Sequence, residues 1–195
     1  MKRLLIFITG KQGAGKGYVA SECARTGLAT HIDVDRILGA SEIPEHGGLS
    51  LTNWDRWNNA SQAGRKECIE RGLNAVYGDL KHSPTHLIIE GAILCNEWFT
   101  EPLESVLRES FDVNFVVSNY YINVSNADIL RNIRVRAEAD PVNRGHEQFQ
   151  FPDEHAIAGF HVGFDQTIKG SRRKWEHFDC TQELIATVKS HLQCQ

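Results

Sequence analysis

The chain has 195 residues, a formal net charge of -4, and 41% hydrophobic and 24% charged residues, which fits one domain with a sizeable core. The mildly acidic balance disfavours a sequence-blind nucleic-acid binder, and no apolar run is long enough to span a bilayer. Its five cysteines (Cys23, Cys68, Cys95, Cys180 and Cys194) are odd in number and widely spaced, with no C-x-x-C pair, so neither a zinc site nor a disulfide framework is indicated and a reducing cytoplasm is expected.

Residues 4–9 form an apolar run that predicts a buried strand. The apolar part is too short for a secretory signal. Gly10-Lys11-Gln12-Gly13-Ala14-Gly15-Lys16 follows at once, a G-x-x-x-x-G-K pattern between a strand and a predicted helix over residues 15–25, with Gly27 as its terminal glycine. Glycines at these positions let successive N–H groups point inward at phosphate oxygens. The lysine adds a compact positive charge and the helix start adds its dipole. Gly10, Gln12, Gly13, Ala14, Gly15, Lys16, Gly17 and Tyr18 are therefore the candidate nucleotide-binding residues. Many such loops carry Ser or Thr after the lysine to hold Mg²⁺, whereas this chain has Gly17 and Tyr18. A phenol is a poor ligand for that ion, so carboxylates, phosphates and water are expected to hold it.

The next predicted strand, residues 31–35, ends in acid. If it persists, alternation puts Asp33 and Asp35 on one face, where one carboxylate accepts a proton and the other binds Mg²⁺ through water. The competing reading is that Asp35 caps the turn that follows. Residues 41–50 are polar and Pro/Gly-bearing, and residues 59–80 predict a long helix. Residues 41–80 are the expected acceptor-binding insertion, with Arg56 to clamp a phosphate and Trp54 or Trp57 to stack on a base. The alternative is that the tryptophans pack a loop onto the core. Residues 87–89 predict a third strand whose end carries Glu90, a candidate base or ligand to the Mg²⁺ water.

A helix is predicted over residues 102–109 and a strand over 113–117, with extension to Ile122 open. Residues 127–139 predict an arginine-rich helix within an expected lid over 126–150. Arg131 and Arg134 share a helical face and Arg136 is turned away. Movable arginines suit a transition state whose charge spreads over the equatorial oxygens of a transferring phosphoryl group. A solvated face paired with Glu138 and Asp140 is the alternative, and Arg144 is a further candidate. Residues 141–165 carry no clear pattern. The nine histidines lack metal-type spacing, and His155 and His161, six apart, do not share a helical face. Arg172-Arg173-Lys174 reads first as a solvated basic turn. A last strand is predicted over 175–179 and a terminal helix over 183–192. Strands alternating with helices imply a parallel sheet covered on both faces, with ligands at the carboxyl ends of the strands.

The stretch Gly13-Ala14-Gly15-Lys16, then Val19-Ala20-Ser21, then Ile32-Asp33-Val34-Asp35-Arg36-Ile37 resembles the P-loop small-molecule kinases, a group that includes nucleoside monophosphate kinases and dephospho-CoA kinase. The match is best over residues 4–38. Gly-Lys-Gly is similar to the adenylate-kinase loop, where Thr follows in place of Tyr18. The Asp-x-Asp resembles dephospho-CoA kinase and implies Asp33 as acceptor-side base, although that family's acceptor-loop signature is not placed. Arg134-Val135-Arg136-Ala137-Glu138 is similar to the lid of deoxynucleoside kinases. The resemblance implies a three-layer α/β fold around a five-stranded parallel sheet with a short arginine-bearing lid. It implies ATP and Mg²⁺, with Asp33 and Glu90 as water-mediated metal partners. It also implies transfer of the γ-phosphoryl group to a small phosphate-bearing acceptor, a (deoxy)nucleoside monophosphate first and dephospho-CoA second. Asp35, Arg56 and Trp54 are the expected acceptor-binding residues. A kinase acting on nucleic acid or a modified base remains an alternative. A non-catalytic switch is disfavoured because neither Asn-Lys-x-Asp nor a switch Asp-x-x-Gly is found.

Overall fold

The structure, a computed structural model, describes residues 3–78, 80, 86–111, 114–139 and 153–194. Five strands, β1 (Arg3–Gly10), β2 (Ala29–Asp33), β3 (His86–Glu90), β4 (Phe115–Ile122) and β5 (Glu176–Phe178), form one sheet. Its order is β2-β3-β1-β4-β5 and every pairing is parallel. β1 can be apolar throughout because both faces of the sheet are covered. Its alternate residues divide between two cores: Leu5 and Phe7 pack on one side, and Leu4, Ile6 and Ile8 on the other.

The helices flanking the sheet complete three layers. Helix α1 (Lys16–Ala24) and the C-terminal helix packed beside it, Thr181–Gln193, cover one face. On the other lie α2 (Val34–Gly39), α3 (Trp54–Asn59), α4 (Gln62–Tyr77) and α5 (Glu97–Phe111). After β4 come α6 (Asn126–Ala139), α7 (Glu154–Phe160) and α8 (Phe164–Gly170), and the C-terminal helix is α9. No described helix is long and apolar enough to cross a membrane.

Several boundaries differ from the predicted ones for local reasons. β2 stops at Asp33, whose side chain accepts from the Asp35 N–H at 2.9 Å and caps α2. Asp33 and Asp35 are thus not alternate residues of one strand, and the cap is Asp33 rather than Asp35. The long helix predicted over 59–80 is α4, shorter at both ends: Ser61 caps its start through Gly64 N–H at 3.1 Å, and Asn59 closes the separate helix α3. Helix α5 begins five residues before Pro102 and carries that proline inside it. The unpatterned stretch supplies α7, capped by Asp153, and α8. Asp140, Pro141, Arg144 and the lid residues 140–150 lie outside the described residues.

Register brings the carboxyl ends together. Glu90 is level with Ile8 of β1 and with Asp33 of β2. Close packing holds α2 in place behind them: a Cβ at Gly72 of α4 would lie 2.7 Å from both the carbonyl oxygen and Cγ2 of Ile37. Gly72→Ala gains up to about 1 kcal/mol of helix propensity but overpacks against backbone at a cost of about 1–3 kcal/mol. A lowered melting temperature is the expected outcome in a thermal unfolding scan; an unchanged or raised one would mean that α2 and α4 do not approach this closely.

Candidate active site

The turn after β1 is shaped by two residues in the left-handed region, Gly13 at φ 81° and Gly15 at φ 93°, which a Cβ would penalise. The Ala14 N–H donates back to Lys11 O at 3.1 Å and closes the curl. Helix α1 starts at Lys16 with no side-chain cap and no acid in its first turn. Its leading N–H groups therefore have no intrahelical partner and present a positive end to the crevice. Lys16 Nζ donates to Lys11 O at 3.2 Å. Tyr18 points to solvent, 53% exposed.

Other elements clasp this loop. Asn132 of α6 donates to Gly13 O at 3.0 Å. Lys11 pairs with Asp165 of α8 at 3.0 Å, and Asp165 also accepts from Tyr121 OH at 2.5 Å. The Gln12 N–H donates to His161 Nε2 at 3.2 Å. Gln12 Oε1 is buried and finds no donor among the described residues.

Three carboxylates act electrostatically on the Lys16 ammonium. Burial lowers the lysine pKa from its usual value, while Glu90, Asp35 and Asp33 act to raise it again. Glu90 is only 8% exposed, and its Oε1 lies 3.6 Å from His31 Nε2. A Cβ at Gly17 would stand 3.3 Å from the same Oε1. The glycine after the loop lysine thus lets the carboxylate approach the start of α1 without the small shift that a Cβ would demand of it. A carboxylate pressed against the start of α1 fits a Mg²⁺ that keeps most of its waters and takes phosphate oxygens. No cluster of three or more His, Cys, Asp or Glu able to hold a metal occurs among the described residues. Gly91 serves a similar purpose: a Cβ there would meet Val34 Cβ at 2.9 Å, so glycine lets α2 bring Asp33 and Asp35 beside Glu90. Cys95 lies in the same field, and burial pushes its thiol up to about 11.

Arg136 of α6, predicted to turn away from Arg131 and Arg134, is the arginine of the three whose charge reaches Asp35. Arg131 pairs with Asp128 of its own helix at 2.7 Å, and Arg134 is an exposed residue of the same helix. In the segment after β2, Trp57 is fully buried beneath the Arg65 guanidinium and belongs to the core. Trp54 is exposed and meets the partly exposed Trp98 edge-on at 5.6 Å. Trp54 lines an open groove of about 590 Å³ with Glu42, Asn53 and Asp55. Arg56 lines an adjoining groove of about 500 Å³ with His46 and Asn59. Lys16, Asp33 and Glu90 line neither groove. Arg172 pairs with Glu97 and Glu101. Arg173 pairs with Glu104 and lies over the Phe7 ring. The basic turn is thus an anchor to α5 rather than a solvated run. Sequence reasoning missed His31, His161 and Asp165, whose neighbours come from distant segments.

No protein-family model matches the chain, and no curated sequence matches it. Among solved structures it is similar to a gluconokinase from Sinorhizobium meliloti 1021, at 16% identity and a TM-score of 0.51, covering 99% of this chain and 94% of that one. It is also similar to a candidate kinase from Chloroflexus aurantiacus, at 13% identity and a TM-score of 0.52, covering 98% of this chain and 99% of the other. The chain has the three-layer α/β fold of the P-loop kinases.

Asp35 offers a direct check on this electrostatic arrangement. The protein around it, followed by Asp33 and Glu90, raises its pKa, with Lys16 and Arg136 opposing. The folded state therefore binds the Asp35 proton more tightly than the unfolded chain does. Its ionised form costs stability above the folded pKa, and the cost vanishes below the unfolded value of about 3.9. Asp35→Asn is expected to stabilise the fold at pH 7 by less than about 1 kcal/mol, because solvent screens an exposed carboxyl, and so to raise the melting temperature slightly. The gap from wild type should close as pH falls toward 4, as followed by thermal unfolding across that range.

Proposed function

We propose that the chain is an ATP-dependent phosphotransferase that moves the γ-phosphoryl group to a small acceptor already bearing phosphate, with a (deoxy)nucleoside monophosphate as the favoured class. The observation that carries this reading is the convergence of Lys16, the open amides of α1 and three carboxylates at the carboxyl ends of β1, β2 and β3. The fold shared with a gluconokinase supports small-molecule phosphoryl transfer. The exposed Trp54–Trp98 pair favours an acceptor with a flat ring that an indole can cover.

In this reading the amides of residues 13–18 and Lys16 hold the triphosphate, and the acceptor lies on the side of residues 41–80. An acceptor oxygen attacks the γ-phosphorus, the bond to the β,γ-bridging oxygen breaks, and the acceptor's proton passes to Asp33 or Glu90. Asp33 has one oxygen committed to the α2 cap and keeps the other for this task. Glu90 and Asp33 are the residues that would hold Mg²⁺ through water, and the bound ion supplies neutralisation of phosphate charge. Arg136, Arg134 and Arg131, from an arginine-bearing lid over 126–150, stabilise the transition state, Arg136 from the side of Asp35. Asp35, Arg56 and Trp54 orient the acceptor. The five cysteines are free thiols, which suits a cytoplasmic setting.

Lys16→Ala should cut transfer by on the order of 10²–10³ or more with the fold intact by circular dichroism, measured with labelled ATP over nucleoside monophosphates, nucleosides and dephospho-CoA. Undiminished turnover in that variant would refute the loop assignment, and a best acceptor outside the monophosphates would move the specificity. Arg134→Ala should lower kcat more than it raises the KM for ATP, because a transition-state contact is lost. Steady-state kinetics showing a change in KM alone would assign that arginine to ground-state binding.

A further inference from the structure

The helix pair α7–α8 is fastened to the phosphate loop at two points. One is the Lys11–Asp165 ion pair, steadied by Tyr121. The other joins main chain to side chain: a backbone N–H of the loop, that of Gln12, donates to the Nε2 of a buried histidine, His161, which is 6% exposed. His161 Nδ1 lies 3.1 Å from the carbonyl of Ile157. A carbonyl only accepts, so Nδ1 carries the hydrogen and Nε2 presents its lone pair to the Gln12 amide. Amides of such a loop are phosphate donors, and the imidazole nitrogen takes the acceptor position that a phosphate oxygen would take. Beside it, the buried Gln12 Oε1 finds no donor among the described residues, an arrangement suited to a donor that arrives with the ligand.

We propose that His161 is a terminal-phosphate contact: its imidazole and a phosphate oxygen are alternative acceptors for the Gln12 N–H, and when phosphate enters, the ring takes up a proton at Nε2 and donates to that oxygen. The proton comes from solvent, and no covalent bond is made or broken. Among the described residues, the charged groups acting on the ring include Lys11 and Lys16 from the loop and α1, and Asp165 from α8 with Tyr121 of β4 behind it. Burial, with the two ammonium groups, holds the ring's pKa below its usual value, against the Ile157 carbonyl and Asp165. The ring is therefore neutral at pH 7, and an incoming phosphate reverses the sign of the local field. This role rests on the loop's binding a triphosphate, as proposed above.

The test is titration calorimetry at pH 7 in two buffers of different ionisation enthalpy, with a non-hydrolysable ATP analogue and with ADP. Wild type should take up more protons than H161Q when the analogue binds, and equally many when ADP binds. H161Q keeps an acceptor for the Gln12 N–H but cannot charge. It should bind the analogue about tenfold more weakly, the scale of one charge-assisted hydrogen bond, and ADP as wild type does. Equal proton uptake by the two proteins with the analogue, or equal losses for analogue and ADP, would overturn the role of His161 while leaving the loop reading intact. Failure of wild type to bind either nucleotide would overturn both. Nitrogen-15 spectra of wild type need no variant: the His161 Nε2 resonance should move to the protonated range with the analogue, and a resonance that stays in the unprotonated range would also overturn the proposal.

Discussion

One ammonium group faces three carboxylates at the edge of a sheet. Lys16 is drawn into the protein, where its charge is costly, and Glu90, Asp35 and Asp33 offset part of that cost. The protein around Asp35, and after it the neighbouring Asp33 and Glu90, hold that carboxyl above its ordinary range. Neither set is comfortable alone in a low-dielectric crevice. The rest of the architecture delivers these four groups to one place.

That delivery depends on space as much as on charge. The parallel register sets Glu90 level with Asp33 and Ile8, so β1, β2 and β3 end together. Two glycines then let their successors close in. Gly91 admits Val34 and with it the first turn of α2, and Gly17 admits the Glu90 carboxylate to the start of α1. A larger residue after Lys16 would press on the Glu90 carboxylate and require it to shift by a few tenths of an ångström.

The loop was legible because its chemistry is local: a strand-length apolar run, glycines at fixed spacing and a lysine at the start of a helix all lie within 20 residues. The strands were legible because a sheet covered on both faces needs unbroken apolar runs, as in β1 and β3. Asp33 and Asp35 were found for an incomplete reason. Strand alternation would have put them on one face, but β2 ends at Asp33, and its cap on α2 carries Asp35 to the crevice instead. Trp54 and Trp57 carry the same residue type three positions apart, and only tertiary packing separates the exposed indole from the buried one. Helices α7 and α8 are seven residues each, too short for a hydrophobic period to stand out. His31 and His161 owe their significance to partners on other segments, for which spacing along the chain has no signature.

The most direct measurement of the central claim is amide chemical-shift mapping of the nitrogen-15-labelled protein during titration with a non-hydrolysable ATP analogue. A triphosphate seated in the loop predicts the largest shifts at the N–H groups of residues 13–18, saturating together in one binding isotherm. Saturable binding that leaves those amides unmoved while shifts gather elsewhere would contradict it.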